Sequence, residues 1–411
     1  MSNVLSDSDA SQLGAAAARW LIESGLAGSD VSDLLAGLGR RLKAGGLAVD
    51  RAGCSILTLH PQIVSQEVVW RADDDSAATT YFTPNMMEDL NNRRAPYFHL
   101  ALNNLRYARF PLGAGGADDE MPLLARLWTE GYTEYFGFFH ATGGAAAISP
   151  FARRIGLVPC VVGSFATRQP GGFAEAEIGC LKSISETLAL AAKARTNHDT
   201  ASRLLDIYVG RSCGSQVLDG RITRGDTERI SCGIWFCDLR QSTRLVTQLP
   251  LENYIALLNR YFDATVGAVM SEGGEVLKFI GDAVMGIFRS DRPGDDLDLR
   301  ERALAASMKT LQDIRGLDAS GRSLEVAIAL HVGEVMYGNV GSDERLDFTV
   351  IGRAVNEAAR LQELAKQLGH SVLASSSFVE PIRDRFDVAG SHAVAGFDEM
   401  LETFVPRGLD R

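Results

Sequence analysis

The sequence is poor in several features that would settle its class at once. It has no uninterrupted apolar run of about 18 residues, the length a membrane-spanning helix needs. The best candidate, GGAAAISPFARRIGLVPCVVG, is broken by Arg153 and Arg154, so no membrane span is expected. The N-terminus, MSNVLSDSDASQLGAAAARWL, lacks the charged-then-apolar order of a secretory signal, and a soluble, cytoplasmic protein is the expectation. There is no basic excess either. A formal net charge of −11 argues against a general nucleic-acid or anionic-membrane binder, because such partners demand a positive footprint. Six cysteines in 411 residues (Cys54, Cys160, Cys180, Cys213, Cys232, Cys237) show no paired metal-ligand spacing, and they read as buried free thiols.

What is present is a globular composition, 46% hydrophobic and 23% charged, over a length suited to two or three domains. Residues 1–45 read as two short amphipathic helices, with Asp30 capping the second and Leu34, Leu35, Leu38 and Leu42 at helical spacing. CSILTLHP and QEVVWR then read as two antiparallel strands. Next come a helix over 121–129, a strand in TEYFGFFHAT and another in LVPCVVGSFAT, before a long helix opening near Phe173. His60, His99 and His140 could in principle bind a haem or metal, but lone histidines of this kind read as structural. Tyr132, Tyr135, Phe136, Phe138 and Phe139 likewise read as core before binding pocket.

Along the long helix, Ile178, Leu181, Ser185, Leu188 and Ala192, then Ala201, Leu204, Leu205 and Tyr208, repeat at about 3.5 residues. For the second half this predicts a dimer seam. In YVGRSCGSQVLDGRITRGD, Gly210, Gly214, Gly220 and Gly225 mark a linker with turns. Beyond it the pattern is strand (230–239), helix (251–270), hairpin (275–289), helix (298–315), strands at 324–331, 334–339 and 346–350, and a helix at 353–368. HSVLAS and ETFVP supply further strands. This alternation predicts a sheet with helices on one face, a ferredoxin-like α+β core.

Chemistry is concentrated in FCDLRQST and KFIGDAVMGIF. Asp238 closes a run of strand-like residues, where an unpaired charge is costly without a partner. Asp282 comes directly after Gly281 at the tip of the hairpin. Two carboxylates on neighbouring strand ends suit a pair of hard cations and displacement at phosphorus. On the last predicted helix Asn356 and Arg360 are four apart and share a face.

FCDLRQST, KFIGDAVMGIF, HVGEVMYGNVG and DFTVIGRAVNEAARL occur in this order over about 180 residues, and together they resemble the catalytic domain of a class III nucleotide cyclase. The stretch GSFATRQPGGFAEAEIGCLKSISETLALAAKAR is similar to the closing strand and final helix of a GAF-type sensory domain. The two resemblances imply an α+β chain of four segments. They are an N-terminal helical segment (1–29), an α/β GAF-like regulatory domain with room for a small ligand (30–195), a helical linker (196–227) and a ferredoxin-like cyclase domain (228–411).

The cyclase resemblance implies that Asp238 and Asp282, with the Leu239 carbonyl, hold two Mg²⁺ or Mn²⁺ ions. It implies that Asn356 orients the ribose of ATP and Arg360 stabilises charge on the α-phosphoryl oxygens. Lys278 and Thr349 fall at the base-reading positions, where Lys with Thr favours adenine over guanine. The Thr variant resembles a subgroup of adenylyl cyclases that includes bicarbonate-responsive members. The implied product is cyclic AMP, made in a homodimer whose sites combine residues of both chains. One departure stands out: a Lys expected just before Gly396 is Ala395, which leaves Arg345 or Arg240 for the triphosphate. Two alternatives stand beside this reading. Ala395 would suit a non-enzymatic ATP-binding module, and Gly273-Gly274-Glu275 resembles a diguanylate cyclase signature but continues Val276-Leu277. A guanylate cyclase would differ at Lys278 and Thr349.

Overall fold

The computed structural model describes residues 5–89, 94–103, 105–113, 121–142, 150–154, 158–290, 296–317, 323–393 and 400–409. It divides into two compact units, Met1–Leu204 and Leu205–Arg411.

In the first unit, helices α1 (Asp7–Leu26) and α2 (Val31–Ala44) start on side-chain caps. Asp30 accepts from the Asp33 N–H at 2.9 Å, as its position before an apolar stripe predicts. The strands are β1 (Arg51–Leu57), β2 (Ser65–Arg71), β3 (Ser76–Phe82), β4 (Tyr107–Pro111), β5 (Glu134–Ala141) and β6 (Cys160–Thr167). They form one sheet in the order β3-β2-β1-β6-β5-β4, antiparallel at every pairing. Strand alternation sends Ala52, Cys54 and Ile56 to one face, where they join Leu34, Leu35 and Leu38 of α2 in a single core. Ile178, Leu181, Leu188 and Ala192 of the long helix Glu175–Val209 pack into the same core. The first half of the helical stripe is therefore spent within its own unit. Leu181→Ala, which empties a fully buried position, should cost roughly 2–5 kcal/mol.

The three histidines have separate local roles. His60 Nδ1 accepts from the N–H groups of Gln62 and Ile63, His99 packs on Phe110, and His140 bonds Ser185. No group of three metal-ligating side chains forms among the described residues. The five aromatics from Tyr132 to Phe139 are core residues, and all six cysteines are buried and free.

The second unit is built on β7 (Thr227–Leu239) and β10 (Val326–Gly341), paired antiparallel from Val326 opposite Leu239 to Gly338 opposite Thr227. With β8 (Glu275–Ile280), β9 (Ala283–Arg289), β11 (Leu346–Ile351), β12 (Val372–Ser375), β13 (Phe386–His392) and β14 (Leu401–Pro406) they make an eight-stranded sheet. Its path is β13-β14-β12-β10-β7-β9-β8, and β11 pairs with β10 off that path. Here β12 runs parallel to β10 and the other neighbours run antiparallel.

Two expectations are corrected. The strands expected at 324–331 and 334–339 are one strand, since Gly333 between them makes no turn. A Cβ there would lie 2.6 Å from the Ala354 Cβ, so Gly333 serves the close approach of the helix Arg353–Leu368. The helices also cover both faces of the sheet. Trp235, Cys237 and Leu239 pack with the helices Leu251–Ser271 and Asp296–Ile314. Cys232, Ile234 and Phe236 pack with Ala354, Ala358 and Leu361 on the opposite side. The unbroken non-polar run CGIWFC at 232–237 was the signal, and all six residues are buried: a strand covered on one face would alternate.

The glycine-punctuated stretch is also more ordered than a linker reading implies. A helix at Arg211–Leu218 packs Cys213 into the core, and the Tyr337 hydroxyl bridges Ser212 at 3.1 Å and Glu275 at 3.2 Å. Burial raises the carboxyl pKa of Glu275 and pushes the Cys213 thiol up to about 12.

Candidate active site

Strand β7 carries Asp238 as its penultimate residue, one step beyond the pair Cys237–Val284 that joins β7 to β9. That register brings it to the foot of the β8–β9 turn. The turn has two residues, Gly281 and Asp282, closed by the pair Ile280–Ala283. Gly281 adopts φ +64°, the left-handed region that two-residue hairpin turns give to glycine. The two aspartates therefore meet, as the sequence predicts, and their side chains are within hydrogen-bonding reach.

Lys366, near the end of the helix Arg353–Leu368, donates to Asp238 Oδ2. Even so, Asp238 Oδ1 and Asp282 Oδ2 are both buried without a hydrogen-bond partner. Burial, reinforced by the shared contact with Asp282, lifts the Asp238 carboxyl to about 6, against the opposing pull of Lys366. Two adjoining carboxylates, only one of them bonded to an ammonium and each with a buried oxygen left over, form an arrangement that a divalent cation would stabilise. No third acidic, histidine or cysteine ligand joins them among the described residues. The remaining oxygens would come from a backbone carbonyl, water or substrate. Leu239 has its side chain wholly in the core, which leaves only its carbonyl for such a role.

Lys278 lies on β8 and bonds Asp347 Oδ2 of β11 at 2.5 Å. Asp347 and Thr349 share one face of β11 by strand alternation. Thr349 is buried opposite Gly338, and its hydroxyl is uncommitted among the described residues. The structure thus brings Lys278 to the strand that carries Thr349. It also adds Asp347, whose place two residues before Thr349 was the available signal. Lys366 is the other residue missed by sequence reasoning. Nothing in its spacing from Asp238 announces the contact, since 128 residues separate them.

Asn356 and Arg360 are not brought to the carboxylates. Both are exposed, and Arg360 pairs with Glu363 at 2.8 Å. At 100° and 1.5 Å per residue, Asn356 lies about 80° around and about 15 Å along the helix from Lys366. Arg360 lies about 120° around and about 9 Å along. Within one chain these two side chains project from a different face than the one that reaches Asp238.

That helix is firmly seated. His331, 5% exposed on β10, bonds Glu357 through Nε2 at 3.2 Å and Ser375 through Nδ1 at 2.9 Å. Burial depresses the His331 pKa, with Glu357 pulling the other way. Arg240 anchors the helix's far end. Its guanidinium donates to the carbonyls of Ala365, Lys366 and His370, and Nε donates to Val326. This counts against the expectation that Arg240 might take the triphosphate, because four of its five N–H donors are committed to these carbonyls. Arg345 sits exposed in the β10–β11 turn with its side chain free among the described residues. Ala395 lies outside the described residues.

Residues 226–404 match the family model described as Adenylate and Guanylate cyclase catalytic domain. The uncharacterized protein Rv1320c of Mycobacterium tuberculosis is 38% identical over 203 residues, which is 48% of this chain and 35% of that protein. Another from the same organism, Rv1319c, is 35% identical over 207 residues, covering 48% and 37%. The chain therefore spans about a third of the length of these curated relatives. Among solved structures, the adenylyl cyclase CyaB of P. aeruginosa is 27% identical, with a TM-score of 0.39 over 45% of this chain and all of that one. The guanylate cyclase domain of RhGC from Catenaria anguillulae is 20% identical, with a TM-score of 0.38 over 43% of this chain and 96% of that one. Within the second unit, residues 226–404 are thus similar to an adenylate and guanylate cyclase catalytic domain.

Proposed function

We propose that the cyclase domain of residues 226–404 converts ATP to 3′,5′-cyclic AMP and pyrophosphate, as a homodimer whose sites are shared between chains. The observation that carries this reading is the convergence of two buried, unpartnered carboxylate oxygens, on Asp238 and Asp282. These residues, with the Leu239 carbonyl, would hold two Mg²⁺ or Mn²⁺ ions. When bound, such ions acidify the ribose 3′-hydroxyl and neutralise charge on the phosphates.

The chain's own groups do the rest. Lys278 presents an ammonium to the acceptor nitrogen of adenine, and the Thr349 hydroxyl accepts from the exocyclic amine. Asp347 holds Lys278 in place. Asn356 fixes the ribose so that its 3′-oxygen lies in line with the α-phosphorus, and Arg360 donates to the α-phosphoryl oxygens as negative charge builds there. Arg345, free in its turn, is the described side chain left for the terminal phosphates.

A second copy is required because Asn356 and Arg360 project away from Asp238 within one chain. Exposed apolar side chains near the carboxylates, Phe279 and Ile280 at 52% and 50%, support such an interface. So do the exposed Ile207 and Tyr208 at the end of the long helix. ATP as substrate places the work in the cytoplasm. Activation by bicarbonate belongs to the same reading, and turnover that stays level on adding bicarbonate at constant pH removes it.

The test is product analysis after incubating the protein separately with ATP and GTP, in Mg²⁺ and in Mn²⁺, beside Asp282→Ala. Cyclic AMP that vanishes in the variant is the expected result. Cyclic GMP as the main product overturns the base assignment, and bound but unchanged ATP favours a binding module.

A further inference from the structure

We propose that a cavity in the first unit binds an amphipathic carboxylic acid, its carboxylate on Arg51 and its apolar body against Leu57, Phe82, Met87, Phe98 and Val162. The cavity, of about 760 Å³, lies on the face of the six-stranded sheet opposite α1 and α2. Its volume is that of a small-molecule site. The inference is independent of the cyclase reading.

The strand pattern builds the site. On β1, Arg51, Ser55 and Leu57 point to this face while Ala52, Cys54 and Ile56 fill the core opposite. Ser65, Glu67, Val69 and Arg71 do the same on β2. A sheet face bearing Arg, Ser and Glu at alternate positions is not a packing face.

Arg51 decides the chemistry. It is 2% exposed, one nitrogen donates to Ser164 Oγ at 3.0 Å, and Nε is buried with no partner. No carboxylate lies within ion-pair distance of it among the described residues. The other arginines lining the cavity are spoken for. Arg71 and Arg126 converge on Glu130 at 3.1 and 3.5 Å. Outside the cavity, Arg109 and Arg168 also have carboxylates, Glu134 and Asp73. Glu67 acts on it only from beyond ion-pair distance, so the guanidinium is held out of water with no carboxylate bonded to it, and an arriving anion would supply that bond.

The anion must carry a single charge. Glu67, which accepts from the Tyr97 hydroxyl at 3.1 Å, and Asp74 line the same cavity and would repel a polyphosphate. The remaining lining is largely apolar, which suits a hydrocarbon or aromatic body.

The experiment is calorimetric titration of the full chain with dodecanoate, 2-naphthoate, their methyl esters, and ATP. Saturable binding of either acid, with the matching ester at least about 30-fold weaker, is the expected result. The two acids tell an aliphatic from an aromatic body. Arg51→Gln should weaken the acid by a similar factor and leave the ester unchanged. Should that variant fail to fold, Ser55→Phe, which fills the cavity without touching the charge, should abolish binding while the melting temperature holds. The proposal is overturned if neither acid binds, if acid and ester bind alike, if ATP binds at this cavity more tightly than the acids, or if Ser55→Phe leaves binding intact.

Discussion

Each unit of this chain hides charged groups with idle polar atoms, and their settings differ. In the first, the Arg51 guanidinium lines a cavity with an idle Nε, while Glu177, at the start of the long helix and away from that cavity, keeps one idle oxygen and accepts from the Ala174 N–H with the other. In the second, two carboxylates meet at a strand end and a turn, each with an idle oxygen. Buried charges with structural duties look different. Glu134 accepts from Arg109 at 2.6 Å and from the Phe173 N–H at 2.6 Å, and Arg300 donates to the carbonyls of Asp296, Ser377 and Phe378. Completed networks of that kind hold the fold together. An incomplete one marks a candidate site where a cavity or a second like charge adjoins it, as at Arg51 and at Asp238 with Asp282, and its sign and surroundings indicate what would bind. A guanidinium with no bonded carboxylate, in a cavity whose remaining lining is largely apolar, suits an organic anion, whereas paired carboxylates suit hard cations.

The sharpest way to break this contrast is at the carboxylates. Asp282→Ala should reduce cyclase turnover by roughly 10³-fold or more while the melting temperature holds or rises, because it removes a buried unpaired charge. A large loss of stability in thermal unfolding would show that Asp282 is structural after all.

Next comes the proposed division of the site between chains. Asp238→Ala and Arg360→Ala should each be inactive alone, yet equal mixing should restore about a quarter of wild-type turnover. Half of randomly formed dimers are mixed, and each mixed dimer keeps one intact site of two. Arg360→Ala should also change stability by less than about 0.5 kcal/mol, since its pair with Glu363 is exposed.

At the proposed base-reading position, Lys278→Ala should lower kcat/KM for ATP by about 10- to 100-fold, the loss of one charge-assisted hydrogen bond. Steady-state kinetics with ATP and GTP side by side would show it. A similar fall with GTP would mean that Lys278 does not read the base.

The smallest effect concerns His331, a buried group whose demand is met. Its folded pKa is depressed below the usual 6.5, so the unfolded chain takes up a proton that the folded chain refuses. Stability is therefore full above about pH 6.5 and is lost as pH falls below it, by at most about 1.4 kcal/mol per pH unit. Urea unfolding of the second unit at pH 7 and 5.5 should show this loss in the wild type and a shallower one in His331→Gln.

The two sites were unequally legible in the sequence. Asp238 and Asp282 could be found because each is fixed by local pattern, a strand end and a Gly-Asp turn, and β-pairing brings them together. The helix with Asn356 and Arg360 was equally plain from its period, and the observed element, Arg353–Leu368, has the expected limits. What stayed hidden depends on contacts distant in sequence. Arg240 reads as a free cation until the helix end it caps folds against it. Lys366 reads as one more surface lysine until it meets Asp238. The merging of two expected strands into β10 was hidden because Gly333 resembles a turn residue, while its actual neighbour, Ala354, belongs to a later helix. Arg51 was legible in principle, since R-x-G-x-S-x-L alternates with A-x-C-x-I. Which face would remain unfilled depended on helices from both ends of the first unit choosing the other one.

The most direct test of the cation assignment is a titration of the full chain with Mn²⁺ by electron paramagnetic resonance, in the presence of a non-cyclisable ATP analogue. Two ions per site in the wild type, with binding lost in both Asp238→Asn and Asp282→Asn, is the expected result. Equal Mn²⁺ binding in the wild type and in both variants would contradict it, and would leave the idle oxygens of Asp238 and Asp282 without a partner to explain them.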